Sequence, residues 1–279
     1  MPSSAFGWLG ALALLVAVTL FSSSALADEA VDLELVLAVD VSLSMDIEEQ
    51  RLQRDGYVAA LRDPAVIRAI RSGAHGRIAV TYMEWAGSHI QSVVIPWRRI
   101  ASASEANAFA DELARHPIAR ARMTSISRAI SKAQSLFQAN GFKGQRRVID
   151  VSGDGPNNGG GPVVEARDAA VKSGIVINGL AIQIKSGTGV YSYFDLPDLD
   201  RYYAACVIGG SGSFVLPIRS KSEFATAIRQ KLLLEIAGRT PPHSPRVQKA
   251  QFQLKIPKPS YDCLIGEKMW QRYMEDRWE

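Results

Sequence analysis

The chain has 279 residues, 47% of them hydrophobic and 22% charged, with a formal net charge of +4. This is ordinary globular composition, with apolar material for one sizeable core in one or two domains. The positive charge is mild and dispersed: the basic clusters are the pairs Arg98-Arg99 and Arg146-Arg147, without interleaved aromatics, which argues against a nucleic-acid partner.

Residues Phe6 to Phe21 are almost wholly apolar and are followed by Ser22-Ser23-Ser24-Ala25-Leu26-Ala27. Ala25-x-Ala27 ahead of Asp28 has the form of a signal-peptidase site, although no Lys or Arg precedes the apolar run. The run is short against the ~20 apolar residues that span a bilayer. Residues 1–27 are therefore expected to be an export signal, which leaves a mature chain without a membrane span in the periplasm or outside the cell. Export implies an oxidising compartment in which disulfides persist. The two cysteines, Cys206 and Cys263, allow one pairing, which would tie the C-terminal tail to the main domain; two buried free thiols are the alternative.

After the signal, apolar runs alternate with helical patterns. Val31 to Val39 reads as a strand, and Asp46 to Leu61 has helical spacing broken by Asp63-Pro64. Ala65 to Ile70 is a second helical segment. Arg77 to Trp85 and His89 to Trp97, separated by Ala86-Gly87-Ser88, read as a hairpin. Ser102 to Arg115 is a helix opened by serine caps, and Ser125 to Asn140 carries Ile126, Ala129, Ile130, Ala133 and Phe137 on one face. Arg147 to Val151 is a short buried strand, Val163 to Lys172 a helix, Ile175 to Ile184 a strand and Leu199 to Val207 a helix. Ser213 to Ile218 is a last strand and Glu223 to Ile236 a last helix.

Strands separated by helices predict an α/β fold: a doubly wound, mostly parallel central sheet with helices on both faces and one antiparallel edge strand from the hairpin. The domain occupies residues 28–239. Thr240 to Pro245 reads as a linker, and residues 240–279 as linker and tail. The tail is too short for its own core. Leu264, Met269, Trp270, Tyr273, Met274 and Trp278 follow rough helical spacing, which suits a helix packed on the domain better than a free partner-binding helix.

The oxygen-bearing side chains cluster where strands end. Asp40, Ser42 and Ser44 follow the first strand as Asp-x-Ser-x-Ser; Thr124 precedes the amphipathic helix; Asp154 follows Val148 to Val151 within Ser-Gly-Asp-Gly. In open parallel sheets ligands bind beyond the carboxyl ends of the strands. Hard oxygen donors in this set suit Mg²⁺ or Mn²⁺ better than zinc, and three neutral hydroxyls among five donors would leave the ion most of its positive charge. The bland alternative is that Asp40 and Ser42 merely cap the next helix.

These three segments, in this order, resemble the metal-ion-dependent adhesion site of von Willebrand factor A domains over roughly Val31 to Ile236. The resemblance implies that Ser42, Ser44 and Thr124 ligate a cation through their hydroxyls, and that Asp40 and Asp154 ligate directly or through water. It also implies a binding module rather than an enzyme, gripping a protein partner that bears an acidic residue. Asp63-Pro64-Ala65-Val66, Tyr82 to Ala86 and Cys206 to Gly210 look more particularly like an uncharacterised bacterial branch of these domains, known only as a domain of unknown function.

Glu84, near the end of its strand, is expected either to orient a ligand from behind the metal loops or to form a local ion pair. Asn157-Asn158 ahead of three glycines reads as a plain turn. No His-Glu-x-x-His and no Gly-x-Ser-x-Gly occurs, and the four histidines lack metal spacing. A metal-dependent hydrolase and an envelope protein with a stabilising or vestigial site are the alternative readings.

Overall fold

The computed structural model describes residues 28–184, 194–238 and 261–276, together with the backbone of 248–249. The expected export signal and most of the linker lie outside the described residues.

Seven strands form one sheet in the order β3-β2-β1-β4-β5-β6-β7: β1 Glu29–Asp40, β2 Ile78–Trp85, β3 Gln91–Ile100, β4 Phe142–Gly153, β5 Val176–Ile182, β6 Phe214–Ile218 and β7 Gln248–Lys249. β2, β1, β4, β5 and β6 are parallel. β3 is the expected antiparallel edge strand, hairpinned onto β2. The opposite edge carries β7, a two-residue antiparallel strand on β6 that the sequence pattern does not reveal. β4 begins five residues earlier than its apolar run, because the polar stretch Phe142 to Arg146 pairs with the start of β1.

Alternation along β1 explains the layers. Leu33, Leu35, Leu37 and Val39 point to one face, Val36 and Ala38 to the other, and all are buried. The first face is covered by α1 Ile47–Arg62, α2 Pro64–Arg71, α3 Ala103–Arg115 and α7 Phe224–Ala237. The second is covered by α4 Ile126–Leu136, α5 Val163–Lys172 and the short α6 Leu199–Tyr202. A strand buried on both faces must be a continuous apolar run, which is what Val31 to Val39 is.

α6 runs into a π-helical turn, Tyr203–Val207, where an uninterrupted helix was expected. That turn carries Cys206, which is disulfide-bonded to Cys263 with Cα atoms 5.5 Å apart. Beyond the bridge lies α8, Ile265–Glu275.

The chain leaves β1 for β2 and β3 on one side and returns to β4, β5 and β6 on the other. The loops after β1 and β4 therefore diverge at their carboxyl ends and open a crevice, the place where doubly wound sheets bind ligands.

Candidate metal centre

Asp40 is the last residue of β1 and is fully buried. Its Oδ1 accepts the Ser42 amide at 2.7 Å, which turns the chain sharply and lifts the two serines above the sheet. Ser42 Oγ lies 2.8 Å from Ser44 Oγ, and Ser44 Oγ donates to Asp154 Oδ1 at 2.7 Å. A chain of hydrogen bonds thus joins the β1 loop to the β4 loop. α1 starts directly afterwards with a capping box: Asp46 accepts the Glu49 amide at 2.7 Å and Glu49 accepts the Asp46 amide at 3.0 Å. The helix is capped by Asp46, so Asp40 and Ser42 are not its capping residues.

Thr124 comes from the loop between α3 and α4. This loop is zipped onto the β1 loop by Leu43 N to Ala121 O (2.9 Å) and Ala121 N to Val41 O (3.2 Å). Met123 has φ 74°, a left-handed conformation that a side chain disfavours, so the loop is held in a tight bend just before Thr124. Asn158 fastens it from the other side: its Oδ1 accepts the Thr124 amide at 2.8 Å and its own amide donates to Thr124 O at 2.8 Å. A Cβ placed on Gly155 would lie 3.9 Å from Thr124 Oγ1, so the hydroxyl faces the Asp154 loop.

All five residues from the sequence pattern therefore meet at one crevice. Ser42, Ser44, Thr124 and Asp154 line a cavity of about 560 Å³, and Asp40 lies beneath its floor. Gly153 is required there. A Cβ on it would stand 2.9 Å from Asp40 Oδ2, 2.8 Å from the Tyr203 hydroxyl and 3.3 Å from the Trp85 ring.

Two carboxylates share a desolvated space here. Burial pushes Asp40 up to about 7, against the pull of its Ser42 hydrogen bonds. Burial, then the charge of Asp40, holds Asp154 well above the usual carboxylate range. Asp40 Oδ2 is buried and has no hydrogen-bond partner. A buried carboxylate oxygen left unmatched is costly, and a cation resolves that cost for both acids together. Among the described residues no three His, Cys, Asp or Glu side chains gather as a metal-binding group. A cation at this crevice would therefore rest largely on hydroxyls. Ser42, Ser44, Thr124, Asp40 and Asp154 fit a hard divalent cation, whose preferred donors are oxygens.

Glu84 takes the ion-pair alternative of the sequence reading, and the two asparagines depart from it. Glu84 pairs in register with Val39, so its side chain leaves the sheet on the face opposite to Asp40. There it forms a buried ion pair with Arg54, whose Nη1 also donates to Leu113 O (3.0 Å) and His116 O (2.8 Å). Glu84 thus acts on the Thr124 loop through Arg54, which grips that loop at its root, and through its own hydrogen bond to the Ala119 backbone. Asn157 and Asn158 are more than a turn. Asn157 Oδ1 accepts the Ser127 amide at 3.0 Å, so together the two asparagines bind the β4 loop to the start of α4. Their sequence signal was the adjacency of two short amides to the Asp154 loop; nothing in spacing showed what they bond.

The sheet order, the crevice at its switch point and the hydroxyl-bearing loops define a von Willebrand factor A-like domain. Residues 30–240 match the model of a family described as "Protein of unknown function (DUF1194)", and the chain belongs to that family. No curated protein matches it. Among solved structures it is similar to proximal thread matrix protein 1 from the mussel byssus, described with a zinc-occupied MIDAS motif (17% identity, 76% of this chain and 49% of that one, TM-score 0.51). It is also similar to the pilus adhesin SpaC from Lactobacillus rhamnosus GG (11% identity, 75% and 31%, TM-score 0.53). A von Willebrand factor type A protein from Catenulispora acidiphila matches at 18% identity over 75% of this chain and 43% of that one, with a TM-score of 0.48. The chain spans half or less of each of these proteins, and likeness at such identities is likeness of fold.

Proposed function

We propose that this protein is an exported binding module that holds a partner protein by a carboxylate, conditional on a divalent cation at the crevice. The observation that carries this reading is the convergence of Ser42, Ser44, Thr124 and Asp154 from three loops onto one cavity, with Asp40 buried beside them. When bound, the cation supplies positive charge for an anionic ligand. The chain's own part is to hold the hydroxyls in place beside Asp40 and Asp154. The oxygen donor set favours Mg²⁺ or Mn²⁺. The zinc in the mussel protein's motif and the adhesin role of the pilus protein accord with cation-dependent adhesion on this fold. The apolar stretch ahead of Asp28 supports export, and with it a periplasmic or extracellular site of action.

A binding role is favoured over hydrolysis by the fate of Glu84. Of the bases such a hydrolase could use, Glu84 or an aspartate, Glu84 lies on the other face of the sheet and is engaged by Arg54.

Calorimetric titration with Mg²⁺, Mn²⁺, Ca²⁺ and Zn²⁺, beside Asp154→Ala, tests the site. Saturable binding abolished by the substitution is expected; equal heats from both proteins would rule it out. Capture from envelope extract with Mg²⁺ and with chelator tests the partner. Identical recovery in both would reject a cation-conditional grip.

A further inference from the structure

The cavity over Ser42, Ser44, Thr124 and Asp154 has a second wall. Trp270 and Tyr273, both from α8 and beyond the family match, line it together with Phe194, which lies within the match. They are three residues apart on one helix face, and the three rings form a mutual cluster with centroids 5.5 Å (Phe194–Tyr273), 5.7 Å (Trp270–Tyr273) and 5.8 Å (Phe194–Trp270) apart. None of the three is fully buried. A tail that packed only to cover its own apolar face would hide these rings; here they stand at the cavity instead.

The wall is fixed relative to Asp154. A Cβ on Gly266 would lie 2.1 Å from Asn157 O, so the first turn of α8 touches the backbone of the Asp154 loop, and only glycine permits that approach. Asn157 Nδ2 donates to Glu267 Oε1 at 2.6 Å, the Tyr261 hydroxyl donates to Asp198 Oδ1 at 2.9 Å, and Cys263 is bridged to Cys206. Each anchor lies within ten residues of Trp270 in sequence, and the Asn157 that Glu267 meets is three residues from Asp154.

We propose that α8 completes the site as an aromatic subsite, so that the ligand is a peptide segment carrying a carboxylate side chain next to a bulky aromatic residue. This rests on the reading that the loops hold a cation and a carboxylate. A cavity of about 560 Å³ is far larger than a lone carboxylate fills and falls in the range of roughly 300–1,000 Å³ typical of sites that enclose a whole ligand. One end offers hydroxyls and Asp154. The other offers ring faces and edges, which favour a further ring in stacked or edge-on contact. The two halves are joined in one space, so they select two adjacent groups on one partner.

The test uses the purified full chain with saturating Mg²⁺ and four probes: N-acetyl-Asp-Phe-amide, N-acetyl-Phe-Asp-amide, and the same pair with Ala for Phe. Binding is followed by NMR titration, and Mg²⁺ affinity is measured separately. The better phenylalanine probe is expected to bind about tenfold tighter than its alanine counterpart, the gain from one well-buried ring. Trp270→Ala, or Tyr273→Ala as the second variant, should bring that ratio to about one while leaving Mg²⁺ affinity unchanged. Equal binding of phenylalanine and alanine probes to the unmodified protein would overturn the aromatic subsite and leave the cation reading standing. A preference that survives both substitutions would do the same. Failure of the unmodified protein to bind Mg²⁺ would overturn both.

Discussion

Gly153 and Asn158 show how little of the candidate site is made by its ligating groups. Gly153 is fixed by what surrounds it: any side chain would enter the space between Asp40 Oδ2 and the Tyr203 hydroxyl. Gly153→Ala is therefore expected to destabilise the fold by about 1–3 kcal/mol, the usual cost of overpacking, and to weaken cation binding by displacing Asp40. Urea unfolding and calorimetry on the same sample measure the two effects. Asn158 acts on the site through the Thr124 loop, since its Oδ1 accepts the Thr124 amide. Asn158→Ala would leave that buried amide unpaired, at about 1–3 kcal/mol. Cation affinity should fall although every expected ligand is still present. Unchanged affinity would mean that the bend at Met123 holds Thr124 without help.

At the scale of elements, two devices hold the loops in place, and they respond to opposite kinds of substitution. The Arg54–Glu84 pair ties α1, β2 and the root of the Thr124 loop together in the interior. Arg54→Met alone would strand a buried carboxylate and cost about 3–5 kcal/mol; Arg54→Met with Glu84→Leu should recover most of that loss, because buried ion pairs barely repay their desolvation. Thermal unfolding of both variants decides. The other device is the disulfide, which closes a loop of 57 residues between the π-helical turn and α8. Cys206→Ser with Cys263→Ser is expected to cost about 2–4 kcal/mol. It should also raise hydrogen exchange in α8 while leaving β1 and β4 protected, because the sheet makes its own hydrogen bonds and α8 depends on anchors.

At the scale of the molecule, the interior holds a second charged group with a pH signature. Glu235 of α7 is buried among Lys231 of the same helix, Asp150 of β4 and Asn178 of β5, and Arg146 donates to its backbone carbonyl. Burial pushes its carboxyl up to about 7, partly offset by Lys231 and reinforced by Asp150. A carboxylate whose pKa is raised on folding binds its proton more tightly in the folded state. Its contribution is complete below the unfolded value, near 4.5, and is lost as pH rises through about 7. Stability should therefore fall across that window, and Glu235→Gln should flatten the profile. A profile as steep in the variant would assign the slope to another group. Cation binding acts on the same scale: at a hundred times its dissociation constant, Mg²⁺ should stabilise the fold by about 2.7 kcal/mol.

The sequence by itself determined the layers and singled out the candidate donors. Val31 to Val39 is apolar without alternation because β1 is buried on both faces, and the doubly wound order follows from strands spaced by helices. Asp40, Ser42, Ser44, Thr124 and Asp154 were legible because each sits at the junction of an apolar strand or amphipathic helix with a polar loop. Tertiary structure alone decided the rest. Glu84 was ambiguous until register with Val39 set which face of the sheet it leaves, and strand periodicity cannot say which face is which. The asparagine clamp joins residues 34 apart in sequence, and the aromatic wall joins the Asp154 loop to a helix more than 100 residues later. Local propensity carries no information about such pairs: their positions are set by which backbones can approach, as Gly266 approaches Asn157, and by which cysteines the fold brings within bonding distance.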